Sequence, residues 1–383
     1  MSKWTLLLGA MVASVVLYKL HIQEFTFVDA MRYVVKTNVE ESKLIPREVP
    51  KASVKKVARK TKKKLAVVEK KIGQPLSIMA FGDIMLGRYV RVVMDENGID
   101  YPFRQISNPA SLFAEGANVV FGNLEGPISG QGKKGGTSMQ FSFNRDIAQL
   151  LKDFGFTMLS ISNNHALDQG KAGRQETIDT LTNAGLGWCG DANEVDTESV
   201  YYGIVGNKNF AFVCLHSATH YLDLNAAIDL IKEVRRNVDY LVVSAHWGVE
   251  YQHKPNDELQ VKPGRAFIDA GADLVIGHHP HVVQSFEIYN GKLIFYSLGN
   301  FIFDQYWSTD TQEELAIGVI LNHAENDKPL SSKVYLFPMK SERSQPRMMN
   351  DDERAKWIEK FIGYGSYDES MQQEIRNGVI EIP

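Results

Sequence analysis

At 383 residues with 44% hydrophobic side chains, the chain is long enough for two average domains or one large one, and a wholly disordered polypeptide is excluded. The net charge is only −4, yet residues 51–71 hold ten Lys or Arg against one Glu, so a local +9 leaves −13 on everything else. Two cysteines, Cys189 and Cys214, allow at most one disulfide and form no C-x-x-C motif; Cys214, inside the apolar run FAFVCLH, reads as an ordinary buried thiol.

In chain order, the run WTLLLGAMVASVVLY lies between Lys3 and Lys19. It is shorter than the ~20 residues that cross a bilayer, but Trp4, Tyr18 and a snorkelling Lys19 extend it. No small-x-small cleavage site follows, so residues 1–22 are expected to be an uncleaved membrane anchor, held in the bilayer through residues 4–20. Residues 23–75 read as a stalk that carries the basic belt, with Pro46 and Pro50 interrupting helical periodicity. Such a belt is drawn to anionic headgroups by ~1 kcal/mol per charge, or guides an anionic polymer. No nucleic-acid partner is expected.

From residue 76 to about 340 the pattern changes to apolar runs ending in polar residues. LSIMAFGD (76–83), NVVFGNLE (118–125), FTMLSISNNH (156–165), DYLVVSAHWG (239–248) and ADLVIGHHPH (272–281) read as buried strands. Helical patterns near 171–185, 224–237 and 256–270 separate several of them. This βα alternation predicts parallel strands with ligand sites beyond their carboxyl ends. FEIYNGKLIFYSLGN and YYGIVGNKNFAFVCL read as hairpins, which implies a mixed sheet or two stacked sheets. Residues 341–383 read as a surface segment ending in a helix.

The strand ends carry Asp83, Glu125 beside Asn123, Asn163 to His165 with Asp168, His246 with Glu250, and His278, His279 and His281. Singly, each has an ordinary structural role: Asp83 as a turn residue, Asn163 and Asn164 as turn formers, His246 and His278 as satisfied buried histidines. Their convergence points instead to a mixed oxygen and nitrogen ligand set, suited to a divalent transition metal (manganese, zinc or iron) as one or two ions that activate water. Strand alternation predicts that His279 and His281 share a face and that His278 points the other way. His216 and His220 lie outside the pattern and read as structural or surface residues.

FGDIMLGR, GNLEGPIS, SNNHALDQG, HWGVEY, GHHPHV and YSLGNFIFDQ, in this order over residues 76–305, resemble the motifs of the CapA/PgsA family of capsule and poly-γ-glutamate biosynthesis proteins. That family is similar to calcineurin-like metallophosphoesterases, so the resemblance implies an α/β fold: a four-layer α/β/β/α sandwich, here preceded by the membrane anchor and basic stalk. It also implies Asp83, Glu125, Asn164, His246, His279 and His281 as metal ligands, His165 as the acid that serves the leaving group, and Glu250 as a base or substrate-facing carboxylate. Arg88, Asn123 and Asn300, within the same motifs, are expected to bind substrate. The chain departs from the phosphoesterase pattern at Met85, where an Asp-x-His motif would place a ligand, and at Ala166, where an acid commonly follows the Asn-His pair.

Three functions follow as expectations. The first is a membrane-anchored component of poly-γ-glutamate synthesis, export or attachment, single-pass at the cell membrane with its domain on the outer face. Its partners would be other membrane subunits of the synthase and the anionic polymer. The second is a metal-dependent hydrolase of a phosphoester or a γ-glutamyl amide. The third is a scaffold that retains the fold without catalysis.

Overall fold

The computed structural model describes residues 75–106, 112–113, 116–130, 139–322 and 331–382. Apolar runs of the length noted above fold as two mixed sheets. Sheet A is built on β1 (Leu76–Ile84), β2 (Val119–Leu124), β3 (Met158–Ser160) and β4 (Gly187–Cys189), all parallel. Sheet B is built on β5 (Val200–Val205), β6 (Lys208–His216), β7 (Tyr240–His246), β8 (Leu274–His278), β9 (Phe286–Tyr289) and β10 (Lys292–Phe295). Within it β6, β7, β8 and β10 are parallel, and the two expected hairpins, β5–β6 and β9–β10, supply the antiparallel pairs. The β9–β10 turn places Asn290 and Gly291 at φ 49° and 70°, the doubly left-handed geometry that an Asn-Gly pair favours.

After β10 the chain crosses to sheet A, where β11 (Asn300–Ile302) pairs in parallel with β1, matching Asn300 to Asp83. The remaining strands, β12 (Glu313–Asn322), β13 (Ser331–Glu342), β14 (Gln345–Met348) and β15 (Val379–Ile382), extend sheet A through antiparallel pairs.

Alternation along the strands sorts the apolar side chains into three layers of core. Ile78, Phe121, Phe212, Val242 and Ile276 meet between the sheets. Met79, Phe81 and Val120 face outward against α1 (Arg88–Asn97), α2 (Asp146–Asp153) and α3 (Gly170–Asn183). Val213, Val243 and Val275 face outward against α4 (Leu224–Arg235) and α5 (Lys262–Asp269). The described residues therefore form an α/β sandwich of helices, sheet, sheet and helices.

Three expectations need correction. No helix among the described residues is long and apolar enough to cross a membrane. The expected anchor (1–22) and the stalk (23–75), all but its last residue, lie outside the described residues. The picture of a single-pass, membrane-anchored component with membrane-subunit partners is therefore not sustained. Second, the segment from 341 is not a surface appendage. β14 and β15 pair with β13, while α6 (Asp351–Ile362) and α7 (Glu369–Asn377) bury Trp357, Phe361 and Ile375 in the inter-sheet core. The charged residues that obscure this in the sequence are paired: Arg347 binds Glu353 at 2.7 Å and Glu342 at 2.6 Å. Third, Cys214 is buried but bonded: a disulfide joins it to Cys189, with Cα atoms 5.5 Å apart, and ties β6 of one sheet to β4 of the other.

Candidate metal centre

The carboxyl ends of β1, β2, β7 and β8 and the loop after β3 close on one buried region between the sheets. Backbones crowd here. A Cβ on Gly82 would lie 1.9 Å from the Gly299 carbonyl oxygen, and one on Gly277 would lie 2.0 Å from that of Tyr296. Only glycine lets β1 and β8 come so near the crossing segment.

Asp83 ends β1 and is fully buried. Its Oδ1 accepts a 2.8 Å hydrogen bond from Asn123 Nδ2, and its Oδ2 accepts one of 3.2 Å from the His279 backbone N–H. His278 Nδ1 and His281 Nδ1 stand 3.5 and 3.6 Å from the carboxylate. Burial opposes ionisation of Asp83, but its side-chain contacts with His278 and His281 outweigh burial and hold the carboxyl well below its ordinary range.

Glu125, one residue past β2, is also fully buried, and neither carboxylate oxygen has a hydrogen-bond partner. The His281 and His165 Nε2 atoms lie 3.7 and 3.8 Å from its Oε1. Burial, only partly offset by His281, pushes this carboxyl well above its ordinary range. A buried carboxylate without donors is costly, and a cation relieves that cost.

His246 ends β7. Its Nε2 lies 2.8 Å from Asn164 Oδ1 and its Nδ1 lies 3.2 Å from Asn123 Nδ2, so the tautomer that satisfies both carries its proton on Nε2. Burial, reinforced by His279, lowers its pKa well below the usual value. Burial also lowers His279 to about 3. Both imidazoles are therefore neutral, the form that binds metal. On His281 burial is outweighed: Glu125 and Asp83 raise it to about 9, and an ion held there would displace that proton. Its Nδ1 faces Asn300 Oδ1 at 2.9 Å, and its Nε2 faces Glu125 and, at 3.9 Å, Glu250.

The ligand atoms of Asp83, Glu125 and His246 lie within 4.8 Å of one another, and so do those of Glu250, His279 and His281. Five buried atoms here have no hydrogen-bond partner: both oxygens of Glu125, both nitrogens of His278, and His279 Nδ1. Buried polar atoms are rarely left unpaired, and a mixed carboxylate and imidazole set of this kind fits a divalent ion.

Around this centre stand the other expected residues. His165 is held by a 2.8 Å contact between its Nδ1 and Asp168 Oδ2 and stacks on Phe141, centroids 3.9 Å apart. Arg88 makes a two-pronged ion pair with Asp304 and lies over the Phe141 ring at 4.9 Å. Asn123 and Asn300, expected to bind substrate, are engaged within the protein. Both are buried, Asn123 between Asp83 and His246, and Asn300 between His281, Gln305 and the Thr311 carbonyl. Met85 is fully buried, and its sulfur accepts from the Gly87 N–H at 3.2 Å, so no imidazole stands there.

Strand alternation does not extend through the three clustered histidines, for a local reason. β8 ends at His278, whose parity with Leu274 and Ile276 turns its ring inward to Asp83. His279 and His281 follow in left-handed conformations, φ 96° and 59°, and reach the centre from a loop. His216 is structural, as expected, but it does belong to the strand-end pattern, because it closes β6. It pairs in register with His246, which pairs with His278, and its ring lies 5.7 Å from that of His246. Its Nδ1 is satisfied by the Ala192 carbonyl at 3.1 Å, so it borders the centre as a bonded residue. The apolar run FAFVCLH, ending in His like the others, carried the signal.

Residues 77–305, which include every residue of the two clusters, match the family described as "Bacterial capsule synthesis protein PGA_cap". The chain belongs to this family. It is similar to the PGA biosynthesis protein CapA of Bacillus subtilis (strain 168), 37% identical over 250 residues that cover 61% of this chain and 64% of that protein. The capsule biosynthesis protein CapA of Bacillus anthracis is 34% identical over 267 residues, 64% of each chain. The chain thus spans just under two thirds of these relatives' length. Among solved structures, a novel phosphatase of Mycoplasma pneumoniae aligns over 72% of this chain and 97% of that one, at 14% identity and a TM-score of 0.43, a likeness too distant to argue from.

Proposed function

We propose that this member of the capsule-synthesis family is a metal-dependent hydrolase, acting on a phosphoester. Asp83, Glu125, Asn164 and His246 would hold one divalent ion of manganese, zinc or iron, and His279 and His281 would serve a second, with Glu250 beside them. The observation that carries this reading is the fully buried Glu125 carboxylate, both oxygens unpartnered, facing imidazole nitrogens. When bound, such an ion supplies a Lewis acid at the reacting oxygen.

The chain's own residues account for the rest. Asp168 holds the proton on His165 Nδ1, and Phe141 fixes the ring plane, so Nε2 is presented toward Glu125. From there the protonated ring would give its proton to the leaving group. Glu250, at the rim beside His281, is the carboxylate placed to take a proton from attacking water. Asn300 accepts from His281 and so keeps Nε2 of that ring directed at Glu125 and Glu250.

A second reading, hydrolysis of a γ-glutamyl amide, draws support from the family description and from the relatives named for PGA biosynthesis. The test is a screen of phosphomonoesters, phosphodiesters and γ-glutamyl peptides with manganese-, zinc- and iron-loaded protein, beside Glu125→Gln and His165→Asn. Turnover of a phosphoester that either substitution reduces by at least about 100-fold supports the first reading. Turnover of the peptide alone supports the second, and no turnover with any metal leaves the non-catalytic scaffold.

A further inference from the structure

Four residues other than glycine take positive φ around the metal centre: Arg88 (46°), Tyr251 (62°), His279 (96°) and His281 (59°). Two are candidate ligands. Arg88 is engaged with Asp304, but the conformation of Tyr251 serves no ligand. A left-handed backbone is unfavourable for a bulky side chain and persists where the surroundings impose it. Here the Tyr251 N–H donates to the Pro280 carbonyl at 2.8 Å, and Gln305 Nε2 donates to its hydroxyl at 3.2 Å. Gln305 Oε1 in turn accepts from Asn300, which accepts from His281. A chain of hydrogen bonds thus ties the Tyr251 ring to a candidate metal ligand, with the two rings 6.0 Å apart.

For all this anchoring, Tyr251 remains 39% exposed. Trp307, two residues past the end of the family match, is 64% exposed and meets Tyr251 edge to face, at 4.8 Å and 81°. Large aromatic side chains held at the mouth of a polar site, rather than in a core, are binding surfaces more often than packing.

We propose that Tyr251 and Trp307 form a platform for a sugar ring, so that the hydrolase proposed above acts on an ester carried by a saccharide. This rests on that reading for the reaction, but not for the binding. The near-perpendicular rings cannot clamp a flat nucleobase between parallel faces. They offer one aromatic face and one edge, which suits the C–H face of a pyranose. The neighbouring Glu250 carboxylate, at the rim beside His281, is placed to accept hydrogen bonds from ring hydroxyls.

The experiment is titration of the manganese-loaded full chain, followed by tryptophan fluorescence and calorimetry. The probes are the tetrasaccharides of N-acetylglucosamine and of glucose, with AMP and tetra-γ-glutamate alongside. The expected result is saturable binding of at least one tetrasaccharide, weakened about tenfold by Trp307→Ala and similarly by Tyr251→Ala, with metal content unchanged in the Trp307 variant. Absence of saccharide binding, binding that Trp307→Ala leaves intact, or tighter Trp307-dependent binding of AMP or tetra-γ-glutamate would overturn the proposal. Saccharide binding without turnover of any ester supports the platform and counts against the hydrolase. Ester turnover without saccharide binding does the reverse.

Discussion

Removing the Cys189–Cys214 bridge should lower global stability by an amount that its place in the chain sets. The two residues are 25 apart in sequence, and their Cα separation of 5.5 Å is ordinary for a disulfide. Closing a loop of that length removes about 3.5 kcal/mol of chain entropy from the unfolded state. The bridge also joins β4 to β6 across the inter-sheet core, where both sulfur-bearing side chains are fully buried. Since domains are stable by only about 5–15 kcal/mol, the loss is a large fraction of the total. The assay is urea unfolding of wild type with and without reductant, and of the Cys189→Ala/Cys214→Ala double variant. With a slope of about 2–3 kcal/mol/M, the midpoint should fall by somewhat more than about 1 M in both the reduced protein and the variant. Equal midpoints, or two titratable thiols in the folded wild type, would refute the reasoning.

Asn300→Ala removes the acceptor at His281 Nδ1, and transition-metal affinity measured by chelator competition should fall about 10–100-fold; an unchanged affinity would show that Asn300 does not orient the ring. Glu314 offers a pH test away from the centre. It is fully buried without a partner for either oxygen, and burial raises its pKa well above 4.5. The unfolded carboxyl ionises above pH 4.5 while the folded one keeps its proton, so this residue costs stability as pH rises through that window. Glu314→Gln should therefore be more stable than wild type at about pH 7 and no different at about pH 4, and equal gains at both would dispose of the argument.

Much of the architecture is legible because it is local. Apolar runs of strand length, an Asn-Gly turn and amphipathic stretches mark β1, β2, β7, the β9–β10 hairpin and α3 to α5. Features made by distant pairing are not legible. Arg88 and Asp304 are 216 residues apart, and no spacing rule links them. The crossing that brings Asn300 to Asp83 belongs to neither sheet's local pattern. β14 escapes detection because it is a polar edge strand containing Pro346, whose charges are answered by residues on β13 and α6. At the centre, residue types were readable but directions were not. Period-2 alternation holds only while the strand continues, and β8 stops at His278, before the two histidines on which the argument depended.

Asp83, Glu125, His246 and their neighbours should bind a divalent transition ion. Elemental analysis of the purified full chain, dialysed after loading with manganese, zinc or iron, tests it most directly. Wild type should retain one or two equivalents of at least one of these ions, and Glu125→Gln should lose at least one equivalent. Wild-type protein that retains no transition metal, or a Glu125→Gln variant that retains as much as wild type, would contradict it.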